Sequence, residues 1–161
     1  MIHKITLHLD LFIGPGDQTR SDRELDIMLF ALYSANCDQL RAFPGLPMLY
    51  ESGVIYQREE EGQEDWQDIR STLEYGYGDC EDLACWRAAE LRVKGIGGRK
   101  INAHPFLRYR RIMPGRLMYH VMVEWPKEQA RFGRSRGVHL LAWKGKVLED
   151  PSAALGMRGS E

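Results

Sequence analysis

The chain has no apolar run near the roughly 18 residues that a membrane-crossing helix needs. The stretch ITLHLDLFIG at 5–14 carries His8 and Asp10 and is followed by no small-residue cleavage site, so it does not read as a signal peptide. Cysteine is scarce: Cys37, Cys80 and Cys85 are an odd number, and no two form a C-x-x-C pair. That excludes a disulfide framework and the common zinc and redox spacings. Neither sign of charge dominates. The chain has 22 basic and 23 acidic side chains, a formal net charge of −1, so there is no global pull toward nucleic acid or anionic lipid. Repeats, low-complexity tracts and a domain linker are also missing. The expectation is a single cytoplasmic domain over residues 1–161, with reduced thiols and neither a nucleic-acid nor a membrane partner.

What is present suffices for a core. A 161-residue domain buries roughly 70% of its unfolded surface without a structural metal. Residues 4–13 alternate, with Ile5, Leu7, Leu9 and Leu11 on one face, and predict a half-buried strand that GPGD at 14–17 ends. Ser21 and Glu24 fit a capping box before a helix to about Arg41. Residues 43–53 read as an irregular connection, 54–57 as a short strand, 58–65 as a solvated charge run and 65–73 as a short helix. Asp79 to Lys94 is helical in pattern, with Gly95 as the residue that ends it. Strands are expected at 99–109, 116–125, 137–143 and 146–150, the last two as a tight hairpin across Lys144-Gly145. Helices followed by an antiparallel sheet make the class α+β.

The segment Tyr75-Gly76-Tyr77-Gly78-Asp79-Cys80-Glu81-Asp82-Leu83-Ala84 carries the chemistry. It sets a cysteine at the first turn of a helix, directly after glycines. Free N–H groups and the positive end of the dipole there favour a thiolate and can hold an oxyanion. Glycines let a substrate approach the backbone. A thiolate nucleophile needs a base, and the base an orienting acid. His120 lies in the strand Tyr119–Trp125, on the face opposite Val121 and Val123. Asp150 ends the neighbouring hairpin strand, where it can reach the second ring nitrogen. Glu149 is the alternative acid but points to the other face. His104 and His139 are competing bases without that strand and acidic finish. Cys85, inside the helix, and Cys37 read as inert core thiols.

These residues resemble a family. Gly78-Asp79-Cys80-Glu81-Asp82-Leu83-Ala84, with Arg87 to Ile96 after it, is similar to the nucleophile helix of the transglutaminase-like cysteine proteases, which have a papain-like fold. The order Cys80, His120, Asp150 and the Asp150-Pro151 ending match it over about residues 74–151. The resemblance implies a nucleophile helix packed on an antiparallel sheet and thiol-dependent attack on an amide bond of a protein or peptide. The outcome is hydrolysis or acyl transfer. It also implies an oxyanion donor upstream, for which Trp66, Gln67, Tyr75 and Tyr77 are candidates. In bacterial members with a similar Asp-Cys-Glu-Asp string the flanking acids bind calcium, here Asp79 and Glu81; otherwise no cofactor is expected. Asp79, Glu81 and Asp82 also suit a helix N-terminus simply as carboxylates. Arg108, Arg110, Arg111 and Arg116, with Tyr109, form a basic cluster, read as a solvated hairpin or as a contact for an acidic partner. The alternative function is a non-catalytic scaffold on the same fold, such as an assembly or tail-associated protein of a phage-like particle.

Overall fold

The computed structural model describes residues 18–60, 64–113, 116–132 and 140–156. The strand expected at 4–13 and the break at 14–17 lie outside these residues. The first helix, α1 (Gln18–Ala42), starts upstream of Ser21. Ser21 and Glu24 therefore lie inside it rather than at its start, which corrects the expected boundary. Gln18-Thr19-Arg20 holds no Pro or Gly to stop the helix.

A 3₁₀ turn (Leu49–Glu51) and the short strand β1 (Ile55–Tyr56) follow. The next helix, α2 (Ile69–Tyr75), begins four residues later than its apolar spacing suggests. Asp68 sets that start, because its Oδ1 accepts the Ser71 N–H at 2.9 Å. Then come β2 (Tyr77–Gly78) and α3 (Cys80–Val93). Gly95 follows α3 with φ +73°, and a Cβ there would meet the Arg99 carbonyl oxygen at 2.1 Å. Only glycine fits that turn.

The second half is a sheet. β3 (His104–Met113) and β4 (Arg116–Pro126) form a long antiparallel pair. Residues 99–103 are not part of β3, so the strand starts later than expected. After a 3₁₀ segment (Lys127–Phe132), β5 (Leu140–Trp143) and β6 (Lys146–Glu149) form the expected hairpin. Lys144 and Gly145 both have positive φ, 42° and 78°, as a two-residue hairpin turn requires. A last short helix, α4 (Pro151–Ala154), is capped by Asp150. The four strands run in the order β3-β4-β6-β5, all antiparallel, while β1 and β2 pair in parallel.

The helix α3 is the centre of the molecule. Ala84, Cys85, Ala88 and Leu91 pack with Leu29 of α1 and with Val121, Val123, Trp125 and Val147 of the sheet. Leu83, Trp86 and Ala89 pack on the other side with Cys37, Leu40, Leu49 and Ile69. A helix with apolar residues on both sides is buried on both sides. Its small Ala84, Ala88 and Ala89 let neighbours approach closely. Cys37 and Cys85 are buried free thiols. The α+β class stands, and no helix of the described residues is long and apolar enough to cross a membrane.

Candidate active site

The candidate residues come from three elements, α3, β4 and the end of β6. Cys80 is the first residue of that helix, delivered by β2. Gly78 leaves room there: a Cβ would crowd Thr72 Cγ2 at 3.0 Å and Asp82 Cβ at 3.1 Å. Asp82 reaches back to fix the turn, its carboxylate accepting the Asp79 N–H at 3.2 Å and the Gln67 N–H at 2.7 Å.

His120 and Asp150 come together from β4 and the end of β6. His120 Nε2 lies 2.9 Å from Asp150 Oδ2. Both are partly exposed, at 20% and 19% of their side chains. The Val123–Glu149 register explains the pairing, since it carries Asp150 diagonally onto the His120 face. Asp150 is pinned by its other oxygen, which accepts the Ala153 N–H at 3.2 Å. It is thus a helix cap and a histidine partner at once. Burial pushes its carboxyl up, but the His120 contact and the backbone N–H groups outweigh that and hold it below the ordinary range. An ionised carboxylate only accepts, so the facing Nε2 carries the proton and Nδ1 keeps a free lone pair.

Among the described residues no hydrogen bond joins the Cys80 thiol to that ring. The thiol instead donates to Glu81 Oε2 at 3.1 Å. Burial, then the charges of Glu81 and Asp79, push the thiol well above its ordinary value, against a main-chain hydrogen bond from Val121, the residue next to His120. The helix terminus was expected to favour the thiolate; burial, with the adjoining carboxyls, reverses the balance.

Those carboxyls are not surface charges. Asp79, Glu81 and Asp82 are 8%, 6% and 0% exposed. Of the charge run at 58–65, Arg58, Glu60, Glu64 and Asp65 are exposed as expected, and Glu59 is the exception. Glu59 is half-buried, takes the Asp65 N–H on Oε2 at 2.7 Å, and has oxygens clustered with those of Glu64 and Asp79 within 4.8 Å. Burial, ahead of neighbouring acids, raises Glu59 to about 7 and raises Asp79, Glu81 and Asp82 as well. Asp79 Oδ1 is buried without a hydrogen-bond partner. A hard cation with oxygen ligands suits this donor set. Calcium would be held by Asp79 and Glu81, as the resemblance implies; Glu59 and Glu64 form a second group that shares only Asp79 with it.

A carboxyl kept protonated by the fold binds its proton more tightly folded than unfolded. Stability then falls as pH rises from the unfolded value, about 4, through the raised folded one. For Glu59 that window closes at about 7; Glu81 and Asp82 are raised too and act in the same direction. Asp150 acts the other way, losing its contribution only as pH falls through its lowered value, below this window. With a chelator present, the melting temperature should drop between about pH 4 and about pH 7. Asp79→Asn should flatten that slope, and thermal scans across pH that stay level in the unaltered protein would refute it.

Of the oxyanion candidates, Trp66 packs on the same core cluster as Cys80, and Gln67 is held to the first turn of α3. Tyr75 is exposed and stacks on Tyr77 with ring centroids 5.9 Å apart. One neighbour was not anticipated: Tyr56, opposite Gly78 in the β1–β2 register. Burial, then the nearby Cys80 and Asp79, raise its hydroxyl to about 12. Nothing in Ile55-Tyr56 signals this, because a two-residue parallel pairing has no periodicity. Glu149 turns away from His120 as expected, and His104 pairs with Glu124 at 2.9 Å. Arg108 is exposed and lies opposite His120 in register. His139 and the side chains of Tyr109, Arg110, Arg111 and Arg116 lie outside the described residues. Family models, curated proteins and solved structures were all compared with the chain, and none matches it.

Proposed function

We propose that the chain is a thiol-dependent hydrolase or acyltransferase with a transglutaminase-like, papain-like arrangement, acting on an amide bond of a protein or peptide. Cys80 is the nucleophile, His120 the base and Asp150 the orienting acid. The observation that carries this reading is the His120–Asp150 contact at 2.9 Å, made by a carboxylate whose other oxygen is fixed by a helix cap. It leaves Nδ1 as the base on the strand whose next residue, Val121, belongs to the core cluster that Cys80 packs against.

In the reaction, Nδ1 takes the thiol proton and Sγ attacks the carbonyl carbon. A C–S bond forms and the carbonyl electron pair moves to oxygen. The imidazolium, stabilised by Asp150, then gives its proton to the leaving amine as the C–N bond breaks. Water, or an amine in acyl transfer, gives up a proton to His120, attacks the thioester and releases the thiol. Hydrolysis is the default, since transfer needs a water-excluding amine channel. Calcium, when bound at Asp79 and Glu81, would supply positive charge that offsets those acids and favours the thiolate.

A second reading has one observation behind it. The thiol is held neutral by Glu81 rather than paired with the imidazole, as a non-catalytic scaffold, for instance in a phage-like particle, would permit. An activated acyl ester separates the two. Mass spectrometry should find a thioester on Cys80 that forms and hydrolyses repeatedly with calcium present, and Cys80→Ala should lose it. Acylation confined to Cys37 or Cys85, or an adduct on Cys80 that never turns over, would favour the scaffold.

A further inference from the structure

Behind the site lies a buried ionic cluster that the chemistry above does not use. Arg87, two turns along α3 from Cys80, is 3% exposed, and Glu90 and Glu149 are 0% exposed. Arg87 Nε donates to Glu149 Oε1 at 2.6 Å, and its Nη1 bonds Glu90. The Tyr50 hydroxyl donates to the same Glu149 oxygen at 2.7 Å, and the guanidinium lies 4.8 Å over the Tyr50 ring. Glu90 Oε2 in turn accepts the Leu49 N–H at 2.6 Å. Three separate stretches, 49–50, α3 and the end of β6, are therefore tied at one point.

The position of Glu149 gives the cluster a role. It is the last residue of β6 and directly precedes Asp150. A buried charge pair is weak evidence for stability, since apolar residues fill such space as well or better. It is strong where register and direction must be unique. Because side chains alternate along a strand, clamping Glu149 to α3 fixes the opposite face on which Asp150 emerges.

We propose that Arg87 and Glu149, with Tyr50, are positioning residues that lock the end of β6 to the nucleophile helix and so set Asp150 on His120. This rests on the catalytic reading of Cys80, His120 and Asp150. The readout is the His120 ring N–H proton by NMR, which a hydrogen bond to Asp150 moves downfield and protects from exchange; a His120→Gln spectrum assigns it. Asp150→Ala should abolish the signal. Glu149→Gln and Arg87→Lys, folded by circular dichroism, should also lose it, and their turnover of an acyl ester should fall roughly ten- to a hundredfold.

Tyr50→Phe removes one bond from Glu149 and should speed exchange of the same proton, which keeps the test alive if the other variants do not fold. If all three network variants keep the wild-type signal and exchange rate while Asp150→Ala loses it, the positioning role is overturned and the catalytic reading survives. If Asp150→Ala keeps the signal, the His120–Asp150 pair itself is wrong and both ideas fall.

Discussion

His120→Ala should slow acyl turnover at Cys80 by roughly 10²–10⁴-fold and leave the fold intact. The ring is partly exposed and lies outside both apolar core clusters, so truncation removes little packing. The rate loss should be large for a specific reason. The resting thiol is pushed up by burial and by Glu81 and Asp79, so little thiolate forms without a base. Asp150 should keep its cap to Ala153, so the variant reports on the base rather than on collapse of α4. The check is steady-state hydrolysis of an activated ester, with Cys80→Ala as the blank. A variant that turns over at the wild-type rate would remove His120 from the mechanism.

The site was legible where its logic is local. Glycine, acid, cysteine and a helical pattern from Leu83 onward are adjacent in sequence, and α3 starts at Cys80 as they imply. The His120–Asp150 pair was legible because two alternating strands and a tight hairpin leave few registers. The acids were misread for the opposite reason. REEEGQED has the composition of solvated surface and is mostly exposed; its approach to Asp79 leaves Glu59 half-buried. Asp79 and Glu81 look like dipole-favourable carboxylates, and nothing local states that they will be buried. The thiol's raised affinity for its proton follows from that unseen burial.

The same division holds for the fold. The β5–β6 turn was readable because Lys144-Gly145 has its own geometry, and Gly95 because a helix stop needs positive φ. The start of α2 was not, since Trp66, Ile69 and Leu73 extend a helical spacing that the Asp68 cap cuts short. Arg87 sits among apolar residues of α3 that are buried with it. Its charge is matched by Glu149, 62 residues away, which no periodicity can report.

That match gives the largest expected effect on stability. Arg87→Ala removes the one cation bonded to Glu90 and Glu149 among the described residues, and leaves two wholly buried carboxyls. Breaking a buried pair in this way costs about 3–5 kcal/mol, or roughly 10 °C in melting temperature for a domain of this size. Glu90 is already raised by burial even with the guanidinium beside it, so without Arg87 it should rise further and be held protonated. Because the folded value is raised, the cost should grow as pH rises above the ordinary carboxyl range and shrink below it. Replacing both acids by glutamine in the Arg87→Ala background should recover part of the loss, because it removes the charges left unpaired. Denaturant unfolding of the unaltered protein and these two variants at acidic and neutral pH decides it. If Arg87→Ala costs under ~1 kcal/mol at neutral pH, the ionic cluster is better hydrated than its burial implies, and it holds β6 to α3 only weakly.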